Sequence, residues 1–171
     1  VVNLGGYVDH SNKKKTFASH FTGCKNLAEI FLKNTPRSFI QMGSSGEYGA
    51  LKSPQKENSR CNPKSIYGKA KFMSSMHLIK LFKKKSFPST ILRLYQAYGP
   101  QQDFNRFIPI LIKACKQNKN FPCSNGDQLR DFIYIDDVID ILEKVILTNS
   151  NIESVDVGNS NPTSTLKIIE E

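Results

Sequence analysis

The chain lacks the features that would indicate a membrane protein or a metalloprotein. Its 171 residues contain no run near the roughly 20 apolar residues of a membrane helix. They contain no low-complexity segment, no internal repeat and nothing that resembles a signal peptide. The cysteines Cys24, Cys61, Cys115 and Cys123 show no spacing that would hold zinc. We therefore predict a cytoplasmic protein with reduced, mostly buried thiols, no metal site and no membrane partner.

Acidic residues are scarce beside basic ones, with 15 Asp and Glu against 24 Lys and Arg and a formal charge of +9. Such a surface attracts anions, either nucleic acid or a phosphorylated small molecule. The lysines stand in short runs, Lys13–Lys15 and Lys83–Lys85, without a basic stripe or interleaved aromatic residues. Solvated helix ends explain these runs, so we expect no nucleic-acid partner.

Short apolar strands alternate with amphipathic helices along the chain. The residue patterns predict strands over 1–8, 38–42, 89–99, 130–135 and 155–158, and helices over 16–33, 65–83, 107–117 and 136–147. A last helix would begin after a cap at Thr163 or Ser164. Strands that alternate with helices predict parallel pairing, and therefore an α/β fold with a doubly wound parallel sheet.

Two of these helices have apolar residues at helical spacing. The helix over 16–33 carries Phe17, Phe21, Cys24, Ala28 and Phe31. The helix over 65–83 carries Phe72, Met76, Ile79 and Phe82 on one side. Each set is expected to form one apolar face.

The stretch MGSSGEYGALK, residues 42–52, contains the G-x-x-G-x-x-G spacing of a dinucleotide-binding turn at Gly43, Gly46 and Gly49. Such a turn must open a helix, and an acidic residue must end a second strand about 20 residues later. Pro54 would break that helix in its second turn, and no acidic residue ends a strand at that distance. We interpret the stretch as something other than a phosphate-binding loop.

Two Tyr-x-x-x-Lys pairs have the spacing of a hydride-transfer site, Tyr48 with Lys52 and Tyr67 with Lys71. The spacing brings the two side chains together only on a helix, and residues 48–52 lack a helical period. The second pair lies in the first turn of a predicted helix, where the Lys71 cation would lower the pKa of Tyr67 and make it a proton acceptor. The alternative for this pair is a partly exposed Tyr/Lys contact on a helix surface.

Five segments of the chain, taken together and in order, resemble a known protein family, although each segment alone would be weak evidence. They are LGGYVD (4–9), FIQMGSSGEYG (39–49), SIYGKAK (65–71), LRLYQAYGP (92–100) and NGDQLRDFIYIDDV (125–138). In this order they resemble the extended short-chain dehydrogenase/reductases, in the NAD-dependent epimerase/dehydratase group that acts on nucleotide sugars. The resemblance implies a Rossmann-like enzyme, either an epimerase (isomerase) or a 4-keto-sugar reductase (oxidoreductase), that uses NAD or NADP.

The resemblance implies a catalytic set of Ser44, Tyr67 and Lys71. Tyr67 would remove a proton from a sugar hydroxyl while hydride leaves the same carbon for the nicotinamide. Ser44 would hydrogen-bond that oxygen. Lys71 would bind the nicotinamide ribose and favour the ionised tyrosine.

Other positions match the family's binding residues. The implied cofactor contacts are Gly5, Gly6, Tyr67, Lys71 and Tyr95. The implied nucleotide-diphosphate-sugar contacts are Ser45, Gln96, Asn105, Arg106, Phe107 and Arg130, with Phe121–Ser124 as a looser match. The guanidinium of Arg130 suits a diphosphate, although it could instead fix a strand end beside Asp131. His20 stands where the family has Asn and is interpreted as a packed histidine, and Asp136 with Asp137 as a helix cap.

The family's glycine-rich turn has no counterpart here, and the chain stops just inside a helix. We interpret it as a fragment with an incomplete sheet and part of a small C-terminal substrate-binding region. Residues 1–99 would form the C-terminal half of the Rossmann-like NAD(P)-binding domain. Residues 100–171 would supply substrate-binding segments interleaved with its last strand and helix. The full-length parent is a possible homodimer.

Two further functions stay open. The family's 4,6-dehydratases place an Asp–Glu pair directly after the catalytic Ser or Thr, at the positions of Ser45 and Gly46. Glu47 comes one residue late, and a slip of one residue on an extended chain reverses the side chain's direction, which disfavours a dehydratase. The other alternative is a catalytically inactive relative that binds a nucleotide or a partner chain.

Overall fold

A computed structural model describes residues 1–148 and 153–170. Its strands are β1 Val2–Asn3, β2 Phe39–Ser44, β3 Ser89–Leu94, β4 Gln96–Tyr98, β5 Leu129–Arg130, β6 Phe132–Tyr134, β7 Ser154–Val157 and β8 Thr163–Ser164. Its α-helices are α1 Lys13–Phe17, α2 Gly23–Phe31, α3 Ile66–Lys85, α4 Phe107–Lys116, α5 Ile135–Thr148 and α6 Thr165–Glu170. None of the helices in these ranges is long and apolar enough to cross a membrane.

The chain forms two compact units. The first comprises Val1–Leu94 and Glu143–Val157, and the second comprises Tyr95–Leu142 and Gly158–Glu171. The first unit contains a four-stranded parallel sheet in the order β1-β2-β3-β7. The second contains the parallel pair β4-β6 and the antiparallel pair β5-β8. The α/β class with a parallel sheet, predicted from the alternation of elements, is confirmed.

Helix α3 packs against β2 and β3, and α1 and α2 pack against α3. Because crossovers between parallel strands are right-handed, the helices that join β1 to β2 and β2 to β3 lie on one face of the sheet. The apolar core between this layer and the sheet includes Phe39, Leu78, Phe87 and Ile91, each fully buried.

The predicted helix over 16–33 begins earlier, at Lys13, and contains a π-helical segment, Ala18–Thr22, between α1 and α2. The wider π turn changes which residues point inward. The buried residues are Thr16, His20, Cys24 and Ala28, four residues apart throughout. The predicted apolar face is therefore only partly right, because Phe17, Phe21 and Phe31 are half-buried.

The predicted apolar side of α3 is not its buried side. Met76 is 48% exposed, and Phe72, Ile79 and Phe82 are half-buried. The buried residues are mostly small, namely Gly68, Ala70, Lys71, Ser74, Ser75, Leu78 and Leu81. Small residues allow the helix to lie close to its neighbours, and the larger apolar residues consequently face outward.

The predicted strand over 89–99 is divided at Tyr95 between the two units, as β3 and β4. The predicted strand over 1–8 pairs only at Val2 and Asn3. The predicted cap of the last helix is confirmed at Ser164, whose hydroxyl accepts the Lys167 amide at 3.2 Å. The expectation of mostly buried thiols is wrong, because Cys115 and Cys123 are exposed.

Candidate active site

Ser44 ends β2 at a tight turn that fixes its orientation. Its side chain accepts a hydrogen bond from the amide of Gly46 at 3.1 Å, and its own amide donates to Glu47 Oε1 at 3.0 Å. These reciprocal bonds form a capping box over the 3₁₀ turn Ser45–Glu47. Because the Ser44 oxygen accepts the Gly46 amide, its hydroxyl proton remains able to donate to a bound molecule.

Two glycines bring the start of α3 against this turn. A Cβ on Gly68 would collide with the carbonyl oxygen of Gly46, so the helix can approach only because position 68 has no side chain. A Cβ placed on Gly46 would lie 3.3 Å from Ser44 Oγ and 3.8 Å from Tyr67 Cδ1. Ser44 and Tyr67 therefore lie beside the same point, although they belong to different elements.

Lys71 lies one turn after Tyr67 on α3 and is 6% exposed. Its ammonium is 5.8 Å from the centroid of the Tyr67 ring and donates to the Met42 carbonyl at 2.7 Å. Burial lowers the pKa of Lys71, and the negative charge of Glu47 opposes that shift. The structure thus brings Ser44, Tyr67 and Lys71 together in the first unit.

Two histidines that the sequence did not indicate as functional contact Tyr67. His10 stacks on the tyrosine ring with centroids 4.2 Å apart, and His20 meets it edge-on at 5.0 Å. His20 lies in the π-helical segment, where its Nε2 is 3.2 Å from the Tyr7 carbonyl. Its buried Nδ1 has no hydrogen-bond partner among the described residues. Single π turns of this kind occur frequently at functional sites.

The two glycines expected at the cofactor lie beside different side chains. A Cβ on Gly6 would collide with the His20 ring, so the space next to Gly6 is occupied by that histidine. Gly5 is exposed, and its amide donates to the Asn3 side chain at 3.2 Å. The aromatic residue at 20 is thus what makes glycine necessary at 6.

Tyr48 is fully buried and is not part of a proton-transfer pair with Lys52. Its hydroxyl donates to the Asp156 carboxylate at 2.8 Å and accepts from Arg93 Nη1 at 3.1 Å. Burial, followed by the hydrogen bond to Asp156, raises the pKa of Tyr48 well above its ordinary value. Its side chain ties the turn that follows β2 to β3 and β7.

The other apparent motif in residues 42–52 is also absent from the fold. Gly49 adopts φ +64°, and the next α-helix in the described chain begins only at Ile66. No α-helix therefore begins directly after the three glycines in the described chain, so they do not form a phosphate-binding loop.

The remaining predicted binding residues are distributed over both units. Ser45 is half-buried in the 3₁₀ turn of the first unit. In the second unit, Tyr95 is half-buried, and Gln96, Asn105, Arg106 and Arg130 are exposed. Phe107 begins α4 and packs against Phe121 and Phe132 with ring centroids 5.9 and 6.0 Å away. Asp131 does not pair with Arg130, because its carboxylate accepts the amides of Asn159 and Ser160.

The sequence matches a known protein family along most of its length. The sequence model of the NAD dependent epimerase/dehydratase family matches residues 1–159. An uncharacterized UDP-glucose epimerase of Bacillus subtilis, YtcB, is 29% identical over 90% of this chain and 49% of its own length. The dTDP-glucose 4,6-dehydratase of Salmonella typhimurium is 27% identical over 66% of this chain and 32% of its own.

A solved structure shows the same fold. The UDP-glucuronic acid 4-epimerase of Bacillus cereus, in complex with UDP-glucuronic acid and NAD, superimposes with a TM-score of 0.88 and 28% identity. The match covers 98% of this chain and 56% of that enzyme. The matches therefore cover between about a third and a little over half of the length of these relatives.

Proposed function

This chain belongs to the NAD-dependent epimerase/dehydratase family, and we propose that it carries the catalytic half of a nucleotide-sugar epimerase or 4-keto-sugar reductase. The observation that carries the proposal is the convergence of Ser44 and Tyr67 beside Gly46, with the Lys71 ammonium 5.8 Å from the tyrosine ring. These are the side chains that proton transfer at an alcohol carbon requires.

Tyr67 would act as the proton acceptor for a sugar hydroxyl. The nearby positive charge of Lys71 favours the ionised phenol, which takes up that proton as the carbon loses hydride. Ser44 would donate its hydroxyl hydrogen to the same oxygen, because its own oxygen already accepts the Gly46 amide. In the reverse direction Tyr67 returns the proton as the alcohol forms.

The residues around Tyr67 fit a nicotinamide nucleotide, NAD or NADP. Lys71 has three N–H donors, and among the described residues only one of them donates a hydrogen bond, to the carbonyl oxygen of Met42. The buried Nδ1 of His20 also has no partner there. Ribose hydroxyls and a carboxamide would satisfy both groups, and the bound cofactor supplies the hydride acceptor or donor. In the first unit Lys71, Tyr67 and Gly5 would hold it, whereas the His20 ring fills the space beside Gly6. In the second unit Tyr95 is a proposed contact.

A 4,6-dehydratase fits less well. That reaction needs an acid and a base beside the catalytic serine, in addition to Tyr67. Ser45 and Gly46 occupy the two positions, and neither can supply a carboxylate. Glu47 is fully buried and binds Arg93 and the Ser44 amide. An epimerase or a reductase requires only the Ser44, Tyr67 and Lys71 set.

The second unit would contact the nucleotide diphosphate. Arg130 and Arg106 are exposed cations, and a guanidinium binds phosphate oxygens through paired donors. Gln96, Asn105 and Phe107 are further proposed substrate contacts of this unit, and Ser45 is a proposed substrate contact of the first unit. A nucleotide-diphosphate sugar is accordingly the proposed substrate class.

The substitution that tests this function is Tyr67→Phe, with Tyr48→Phe as its control. The gene product that contains these residues is incubated with a panel of UDP-, dTDP- and CDP-sugars, and epimerised product is measured by chromatography; with 4-keto sugars, oxidation of NAD(P)H is followed by absorbance. Loss of the proton acceptor should lower kcat by at least about 100-fold, whereas the Tyr48 change should largely preserve it. Equal effects of the two changes would contradict the proposal. Sugar binding without turnover in the unaltered protein would favour the inactive relative.

We also propose that the parent protein is a homodimer that pairs through α3. Phe21, Phe72, Met73, Met76 and Ile79 line an open groove of about 590 Å³ bordered by Lys80, Lys83 and Lys84. A patch of this kind on one protomer can contact the same patch on a second copy, as in most two-fold dimers.

All described cysteines are free thiols, which supports a reducing compartment such as the cytoplasm.

A further inference from the structure

The ammonium of Lys71 lies in a buried site and forms no direct ion pair with any residue that the structure describes. The side chain is 6% exposed, and its hydrogen-bond acceptor is the neutral carbonyl of Met42. A buried charge is unfavourable unless an opposite charge compensates for the lost hydration. The function proposed above requires this amine to stay protonated, so the source of compensation matters.

The ionisable neighbours of Lys71 come from three elements besides its own. Burial raises the pKa of Cys24, on α2, to about 11 and lowers that of His20, in the π segment, to about 4. Both groups are therefore uncharged at neutral pH. On α3 itself, the phenol of Tyr67 is the group whose ionisation Lys71 assists, so its charge depends on Lys71 staying protonated. The remaining neighbour is Glu47, in the 3₁₀ turn, whose charge favours the protonated form of Lys71.

The carboxylate of Glu47 is held between two donors. Its Oε1 accepts the Ser44 amide at 3.0 Å, and its Oε2 accepts Arg93 Nε at 3.1 Å, with Glu47 0% and Arg93 4% exposed. A Cβ on Gly43 would lie 2.7 Å from Oε1, so a side chain at this strand position would displace the carboxylate. Glu47 and Lys71 bind the backbone of the same strand, β2, at positions two residues apart. Glu47 accepts the amide of Ser44, and Lys71 donates to the carbonyl of Met42.

We propose that Glu47 is a positioning residue of the active site, which fixes Ser44 through its amide and supplies the buried negative charge that keeps Lys71 an ammonium ion. Arg93 serves this role by holding the carboxylate in place through the bond from its Nε. The proposal rests on the function assigned to Ser44 and Lys71. It also explains why the acidic residue that follows the serine points into the core and away from a substrate.

The test follows Lys71 directly and needs neither ligand nor turnover. The chain is labelled with ¹³C,¹⁵N-lysine, the Lys71 side-chain signal is identified by its loss in Lys71→Arg, and its NMR shift is recorded against pH. Removing the opposite charge in Glu47→Gln should lower the midpoint of the Lys71 titration by about one pH unit or more. The amide proton signal of Ser44 should also move upfield, because a bond to a neutral acceptor is weaker than the bond to the Glu47 carboxylate.

Asp156→Asn provides the matched control. Asp156 is a carboxylate of the same network, joined to Arg93 through Tyr48, and it contacts neither Ser44 nor Lys71 in the described chain. The control should leave the Lys71 midpoint and the Ser44 amide signal nearly unchanged. If Glu47→Gln fails to fold, Glu47→Gln with Arg93→Gln removes both charges, and its Lys71 midpoint should still fall below that of the unaltered chain.

An unchanged Lys71 midpoint in these variants, or an equal shift in Asp156→Asn, would overturn the proposal and leave Glu47 a structural residue. An inactive protein, or an ineffective Tyr67→Phe, would instead contradict the proposed function while leaving this titration result in place.

Discussion

His20 shows how far a single side chain can depart from its behaviour in water. Its ring is 6% exposed, fills the space beside Gly6, and contacts Tyr67 and the Tyr7 carbonyl. Burial, with the nearby charge of Lys71, lowers the pKa of His20 to about 4. At neutral pH the histidine is uncharged, so its Nε2 can donate to Tyr7 while Nδ1 stays an acceptor.

This shift predicts how the stability of the fold depends on pH. Between the ordinary pKa of 6.5 and about 4, the unfolded chain binds a proton that the folded chain does not. The free energy of unfolding should therefore fall as the pH falls through this range, by up to about 1.4 kcal/mol per pH unit from this residue. In His20→Asn that part of the slope should disappear. Urea unfolding at pH 4.5 and pH 7 measures it.

His77→Asn is the comparison, because His77 is less deeply buried on the outer side of α3. The pKa of Asp156 is raised and that of His77 is lowered, so both residues also contribute to the pH dependence of stability. Both residues are still present in the His20 variant, so their contributions do not account for a difference between it and the unaltered chain. A slope that is the same in His20→Asn and the unaltered chain would show that His20 protonates normally in the fold.

At the scale of elements, the approach of α3 to the end of β2 determines where Tyr67 lies. Four of the helix's buried residues are Gly68, Ala70, Ser74 and Ser75. The Ser74 hydroxyl donates to the His20 carbonyl at 2.7 Å, so α3 is also tied to the π segment. Small side chains make this contact possible, and the position of Tyr67 beside Ser44 depends on it.

We predict opposite effects for two glycine-to-alanine changes in helices. In Gly68→Ala the new methyl group would collide with the backbone at Gly46, and the fold should lose about 1–3 kcal/mol. In Gly23→Ala the nearest atom is 3.7 Å away, so the higher helix propensity of alanine should add up to about 1 kcal/mol. Thermal or urea unfolding of both variants measures the difference, and destabilisation by both would contradict it.

At the scale of the whole molecule, the outward face of α3 gives the first unit an apolar surface. The helix buries its small residues and presents Met73 and Met76, 39% and 48% exposed. An open apolar groove of this kind is typical of a surface that a partner covers.

Met76→Glu should therefore weaken association of the proposed dimer. A carboxylate placed in the apolar centre of an interface should raise the dimer dissociation constant at least about tenfold. Ile112→Glu, which changes an apolar residue of α4 that is 50% exposed, is the control and should have no effect. Sedimentation equilibrium over a range of concentrations measures both, and a monomeric unaltered protein would rule out the dimer.

Local patterns in the sequence were sufficient for the fold class and for much of the element order. The alternation of strands and helices predicted a parallel sheet, and the i, i+4 spacing placed Lys71 one turn after Tyr67. These predictions depend only on backbone geometry over a few residues, and the spacing of residues along the sequence reflects that geometry directly. The same kind of evidence failed on α3, since its large apolar residues mark the outward side and its small residues the buried one.

The sequence by itself determined which residue types were available, in what order, and on which kind of element. Only the tertiary structure decided that Ser44 and Tyr67 meet beside Gly46, and that Glu47 pairs with Arg93 across 46 positions of chain. The reason is physical, because such contacts form where segments distant in sequence pack together. Whether a buried charge lies beside an opposite charge depends on that packing, and the residues next to it in sequence do not decide it.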